Sequence, residues 1–359
     1  RLRPEARIVW HVRAGLESLA PVIGAEVFTP QLACAPEAEA ARLAAQTAPL
    51  LLLPFALSAH EPWTADLVRR LTWWAAFLRA TTWDATVLAL VNRNWVGDFT
   101  VTLAPAPVRV GFAAGPMRQP FVNEAHVLAK ADAPSFTATL TPSFTRSEST
   151  QLLELLALVE PRLRDIDPAP SWQPAITWRD PATRNLHPRV LIAPGVGGDS
   201  RRAWGTNNFQ QVADSLRQRG ASVTWLEGPG DALYFEGLPT DDVHPRIRFT
   251  PDDLPKLIET LSQADLLLCH DTAYVHLAAS VGVPTVAIYG AGQHARFQPT
   301  HGRVKIVQSE IACTGCQGHC LFDRLVCVAD IPVEAVIAAA EQLLAGDPSK
   351  VSVPLSTPL

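Results

Sequence analysis

The chain has 359 residues, enough for two domains, and its 48% hydrophobic and 18% charged residues suit a compact protein rather than a disordered one. A net charge of −5 supplies no basic footprint for nucleic acid. The longest apolar run, near Pro49 to Leu57, is too short to span a membrane. The charged, proline-bearing start does not read as a signal peptide, and six cysteines in a chain this size do not suggest a disulfide framework, so a cytoplasmic protein is the expectation.

In chain order, Arg7 to Val12 reads as a strand, Leu16 to Ile23 as a short helix and Ala25 to Phe28 as a second short strand. Residues 35 to 48, rich in Ala and Glu, read as helix, whereas Leu50 to Leu57 fits either a strand or a buried helical turn. Thr64 to Ala80 carries Leu67, Leu71, Trp74, Ala75 and Leu78 at helical spacing, and Trp73 and Trp74 read as packing residues rather than as a sugar platform. Asp84 to Val91 is a strand leading to Asn92 and Arg93, which an acceptor can reach at a strand's carboxyl end, though a plain polar loop fits equally. A helical segment runs to Leu103, followed by the strand Val108 to Phe112. The next stretch, to Ser147, is weakly patterned, with His126 as a candidate acceptor contact, and Glu148 to Val159 is an amphipathic helix.

The proline cluster from Pro161 to Pro188 reads as a connection between domains. The strand Arg189 to Ala193 follows, then Gly195, Gly197 and Gly198, then the helix Phe209 to Gly220. A strand, a Gly-rich loop and a helix in that order present bare N–H groups that can cradle a phosphate, and Ser200, Arg201 and Arg202 stand beside them. Ser222 to Leu226 is a strand ending in Glu227, Gly228, Pro229, Gly230 and Asp231, and Thr250 caps the helix over Phe249 to Leu261. The apolar run Leu266 to Leu268 reads as a strand buried on both faces and broken at His270, Asp271 and Thr272. Asp271 or Thr272 can cap a helix that Gly282 and Pro284 stop, and the strand Thr285 to Tyr289 follows. Two strand ends and a helix N-terminus thus meet at one sheet edge, an anion-binding arrangement. Cys313, Cys316, Cys320 and Cys327, four of six cysteines, fall within fifteen residues. Thiolates so spaced can hold a structural zinc, with His319 as a further ligand, and a loop of free thiols or a disulfide fits the same spacing. Ile331 to Leu344 is a last helix and residues 346–359 a tail.

Several of these pieces resemble one family. Asp271-Thr272-Ala273, His276-Leu277-Ala278-Ala279, Gly282-Val283-Pro284 and Gly290 are similar to the D-[ST]-G-x-x-H-x-A-x-x-x-G-x-P-x-x-x-x-[FY]-G signature of glycosyltransferase family 9, that of the lipopolysaccharide heptosyltransferases. Ala273 departs from the usual Gly. Arg202 falls at the Lys of the family's P-G-x-[ST]-x-x-x-K-x-W-P run, Glu227 to Asp231 resembles its G-x-P-x-[DE] turn, and Arg109 to Phe112 resembles its R-[IV]-G-[FY] strand.

The resemblance implies an α/β fold of the GT-B type, two Rossmann-like domains facing a central cleft. Residues 1–165 would be the acceptor side, 166–188 the linker, 189–345 the nucleotide-sugar-binding domain and 346–359 a tail. It implies an inverting transfer of a heptose-like sugar from a nucleotide-diphospho-sugar, ADP-linked in the family's best-known cases, to a saccharide or lipid-linked acceptor. No cofactor would be required, and contact with the inner membrane would be peripheral. Gly195, Gly197, Gly198, Ser200, Arg202, Glu227, Gly228, Asp271, Thr272, Ala273 and His276 would hold the donor, and Asn92 and Arg93 the acceptor. The family's catalytic base lies in an opening turn that is expected before Arg1. A catalytically degenerate sugar-nucleotide-binding module of a larger protein is the alternative.

Overall fold

The structure is a computed structural model that describes residues 6–12, 16–57, 61–90, 95–113, 136–143, 146–166, 187–197, 199–238, 244–290, 296–299, 302–313, 316, 320 and 322–346. It divides into two compact units, Arg1–Pro168 and Ala169–Leu359. Asn92, Arg93, His126, Gly198 and His319 lie outside the described residues.

The first unit alternates strands and helices: β1 (Ile8–Val12), α1 (Ala20–Ile23), β2 (Glu26–Val27), α2 (Pro36–Ala44), β3 (Leu50–Pro54), α3 (Ala65–Ala80), β4 (Ala85–Leu88), α4 (Trp95–Leu103), β5 (Val108–Phe112), β6 (Ala138–Leu140) and α5 (Glu148–Leu156). Its strands pair in parallel as two three-stranded sheets, β1-β3-β2 and β4-β5-β6. The run that fitted strand or helix is β3, the middle strand of its sheet. That position explains why Leu51, Leu52 and Leu53 are all apolar, since both faces are covered. Trp73 and Trp74 are core residues: both stack on Phe55, both also stack on Phe77, and their indole N–H groups donate to Cys34 O and Thr100 Oγ1.

The second unit holds β7 (Arg189–Ala193), α6 (Thr206–Gln218), β8 (Ser222–Glu227), β9 (Arg246–Arg248), α7 (Leu254–Ser262), β10 (Leu266–His270), α8 (Ala273–Val281), β11 (Thr285–Tyr289), β12 (Val304–Gln308), α9 (Val326–Ala329) and α10 (Val333–Ala345). All six strands pair in parallel in the order β12-β11-β10-β7-β8-β9. From β7 the chain winds outward through β8 and β9, then returns to β10 and winds the other way. The reversal lies between β7 and β10, and ligands of open α/β sheets bind outside the carboxyl ends of the strands at such a point. Ala193 pairs with Cys269 across it. One core backs the sheet, built from α6, α10 and the strand faces around Trp204, Phe209 and Trp225. Among the described residues no helix is long and apolar enough to cross a membrane.

Candidate functional site

The carboxyl ends of β7 and β10 are joined by His270. Sequence patterning ends the strand at Leu268, but β10 continues through Cys269 and His270, both buried. A histidine is tolerated there because both ring nitrogens are used. Nε2 accepts the Trp204 N–H at 2.9 Å, and Nδ1 lies 3.3 Å from Gly195 O. A backbone N–H can only donate and a carbonyl can only accept, so the ring is the neutral Nδ1–H tautomer. Burial agrees, holding the His270 pKa down at about 4. The imidazole thus ties the Gly-rich loop after β7 to the turn that precedes α6.

Two glycines shape that loop. Gly197 has φ +56°, in the left-handed region where a side chain is strained. Gly195 is required by contact: a Cβ there would meet the Asp231 carboxylate at 2.1–2.4 Å. Asp231 is buried, accepts the Gly228 N–H at 2.9 Å and is pushed above the usual carboxyl range by burial. A Cβ on Gly228 would likewise crowd it, at 3.0 Å, and the Tyr274 hydroxyl, at 3.1 Å. The Glu227 carboxylate accepts from Arg248 Nε at 2.9 Å and Arg246 Nη1 at 3.3 Å, so it serves the β8–β9 pair as well as facing the edge. Ser200 is exposed and opens a single 3₁₀ turn that ends at Arg202.

Arg202 reaches across the reversal point to Asp271. Its Nη2 donates to Asp271 O and to Asp271 Oδ2, each at 3.0 Å, while its side chain remains 36% exposed and that of Asp271 only 13%. Burial raises the Asp271 carboxyl, and Arg202, His276 and a hydrogen bond from Tyr289 pull the other way. Thr272 occupies the N-cap position of α8 in extended backbone, but makes no side-chain cap bond. Its hydroxyl turns back toward His270 O at 3.4 Å. This corrects the expectation that Asp271 or Thr272 caps the helix. Asp271 is engaged with Arg202, and Ala273, the exposed first residue of α8, follows it directly in the chain after Thr272. A cation and a helix N-terminus side by side make an anion site.

A recess of about 100 Å³ opens next to this pair. Asp199, Arg202, Asp271, Cys313, Cys316, Cys320 and Cys327 are among the residues that line it. It is smaller than the roughly 300 Å³ at which ligand pockets begin, so it is a corner of a site rather than the whole of one. All six cysteines are free, and among the described residues no group of three or more His, Cys, Asp or Glu is placed to hold a metal ion. The described residues thus give no support to the zinc that the spacing suggested, and His319, its further candidate ligand, lies outside them.

The profile of glycosyltransferase family 9 (heptosyltransferase) matches residues 152–325, a span that contains every element just described at the reversal point. The lipooligosaccharide heptosyltransferase 2 of Campylobacter jejuni is 25% identical over 167 residues, 45% of this chain and 52% of that protein. The chain spans about half the length of the curated relatives it matches. Among solved structures, the family 9 glycosyltransferase of Veillonella parvula superposes with TM-score 0.58 at 18% identity, covering 90% of this chain and 97% of that one. The Escherichia coli ADP-heptose lipopolysaccharide heptosyltransferase II does so with TM-score 0.54 at 14% identity, covering 96% and 92%. Identities this low show the fold, and the fold is GT-B, a pair of Rossmann-like domains.

Sequence patterning brought Gly195, Gly197, Arg202, Gly228, Asp271, Thr272 and Ala273 to one edge, and the structure gathers them there. His270 and Asp231 escaped it as site residues. The signal for His270 was a polar residue continuing an apolar strand. The signal for Asp231 was an acid three residues after Gly228, the spacing at which a side chain returns to a turn N–H.

Proposed function

We propose that the second unit binds the diphosphate of a nucleotide-diphospho-sugar, and that the chain belongs to an inverting glycosyltransferase moving a heptose-like sugar to a saccharide or lipid-linked acceptor. The observation that carries this reading is the Arg202–Asp271 pair beside the uncapped N-terminus of α8, at the reversal point of a parallel sheet. In the reading, Arg202 and the α8 N–H groups at Ala273 stabilise the charge that develops on the leaving diphosphate. The loop at Gly195 and Gly197 approaches the phosphates through its backbone, and Asp271 receives sugar hydroxyls. His276 tunes Asp271, whose carboxylate already feels its charge. Charge neutralisation by these groups calls on no metal or other cofactor, and none is assigned to the cysteines.

The kinship with heptosyltransferases favours an ADP-linked heptose as donor and a lipopolysaccharide-core acceptor, which would place the work in the cytoplasm and bring the chain peripherally to the inner membrane. Asn92 and Arg93 are the candidates for acceptor contact, and no residue of the chain is assigned the role of base.

Thermal unfolding with ADP, UDP, GDP and their sugar conjugates tests the reading. A ligand at 100 times its Kd adds about 2.7 kcal/mol. The expected result is stabilisation by ADP and ADP-sugars that Arg202→Ala abolishes. Failure of every nucleotide to raise the melting temperature overturns the reading.

A further inference from the structure

Among the described residues no metal-holding group includes the four clustered cysteines, and we propose that Cys313 and Cys316 close a reversible disulfide in the lining of the recess that Arg202 and Asp271 also line. Both thiols are free and both line that recess. The Cys316 N–H donates to Cys313 O at 3.2 Å, a backbone bond between the two cysteines themselves. An i+3 to i bond of this kind goes with Cα atoms within about 7 Å, and a disulfide spans roughly 4.4–6.8 Å between Cα atoms. The other two thiols are less suited. Cys327 is buried, and Cys320 Sγ is turned toward Arg324 O at 3.9 Å.

Exposure sets the order of events. Cys313 is the exposed thiol of the pair and Cys316 the half-buried one, so a small soluble disulfide such as oxidised glutathione meets Cys313 first. The Cys313 thiolate attacks one glutathione sulfur, forms a mixed disulfide and releases one glutathione thiolate. The Cys316 thiolate then attacks the Cys313 sulfur, closes the ring and releases the second glutathione. Two protein thiols are oxidised, one glutathione disulfide is reduced, and the two thiol protons end on the two glutathione molecules. The bond forms in the lining of the recess that Arg202 and Asp271 share, so it changes the surface beside which a diphosphate would bind. That consequence rests on the function proposed above, whereas the disulfide itself does not.

The test equilibrates the full chain in glutathione buffers of graded redox ratio, alkylates the remaining thiols and maps the peptide that holds Cys313, Cys316 and Cys320, with zinc content measured on the same sample. The expected result is an internal Cys313–Cys316 link, with Cys320 alkylated, that reducing agent removes. Cys316→Ser should arrest the reaction at glutathione on Cys313. Stable glutathione adducts without an internal link in the unmodified chain overturn the proposal. So does a Cys313–Cys320 link forming equally well in Cys316→Ser, or about one equivalent of bound zinc shielding all four thiols. The melting shift produced by ADP, read in both redox states, separates the two readings. A shift that differs between states supports the coupling, and an equal shift overturns it. No shift in either state, with the link present, removes the nucleotide reading and leaves the disulfide standing.

Discussion

Replacing Gly195 by alanine forces a Cβ into the Asp231 carboxylate, 2.1 Å from its nearest oxygen. The carboxylate is itself held by the Gly228 N–H, so it cannot swing away freely. Overpacking of this kind costs about 1–3 kcal/mol, and urea unfolding of Gly195→Ala should show that loss. In an Asp231→Ala background the same substitution should cost little, because the clashing group is gone, and a cycle with no coupling would refute the contact. His270 carries a second prediction. Its pKa is near 4 in the fold against 6.5 for an ordinary histidine. Below pH 6.5 the unfolded chain takes up a proton that the folded chain refuses, so stability falls as pH drops toward 4 and is fully present above 6.5. Linkage puts the loss at about 2 kcal/mol by pH 5. Urea midpoints at pH 7 and pH 5 should differ by that much more in the natural chain than in His270→Gln, which has nothing to titrate there. His270 was not legible as part of the site. Gly195 was visible as a phosphate-loop glycine, but its reason is a carboxylate 36 positions away in sequence.

Among the described residues of the second unit, Thr250 and Thr272 each stand at the N-cap of a helical segment, and only Thr250 is part of a capping box. At the start of the 3₁₀ turn that leads into α7, Thr250 and Asp253 form a capping box, with both the Thr250 N–H and hydroxyl 2.8 Å from Asp253 Oδ2. At α8, Thr272 has the position without the bond. A lost cap costs about 1 kcal/mol, so Thr250→Ala should lower stability by about that amount and Thr272→Ala by much less. Equal losses would mean that the α8 N–H groups are satisfied by Thr272 after all and are not free for an anion. Composition could not separate the two, since both precede apolar helices. The same is true of β9 and β12, which patterning missed. β9 is Arg-Ile-Arg and reads as loop, yet both arginines are there to serve Glu227. β12 contains Lys305, buried with its ammonium 2.5 Å from Gln342 Oε1 on α10, an interaction visible only once the helix is folded over the sheet. The strands that did read clearly, β7, β10 and β11, are continuous apolar runs because parallel strands are covered on both faces.

At the scale of the chain, the candidate site depends on contacts that no local pattern encodes. His270 meets Gly195 across 75 positions, Arg202 meets Asp271 across 69, and the Trp204 indole N–H reaches Ile331 O across 127. Resemblance to a known signature brought these segments together on paper, and the strand order explains why they meet. Every one of these contacts, the recess beside them and the core that backs the sheet lie within Ala169–Leu359. Among the described residues that unit pairs six strands from β12 to β9 and has an apolar core of its own. The expected outcome for residues 169–359 expressed alone is a single cooperative unfolding transition. ADP should stabilise it as much as it stabilises the full chain, approaching about 2.7 kcal/mol at 100 times the Kd. A fragment that folds cooperatively but loses the ADP effect would mean that groups of the first unit contact the nucleotide. A fragment that does not fold would show that the apolar core of the second unit is insufficient by itself.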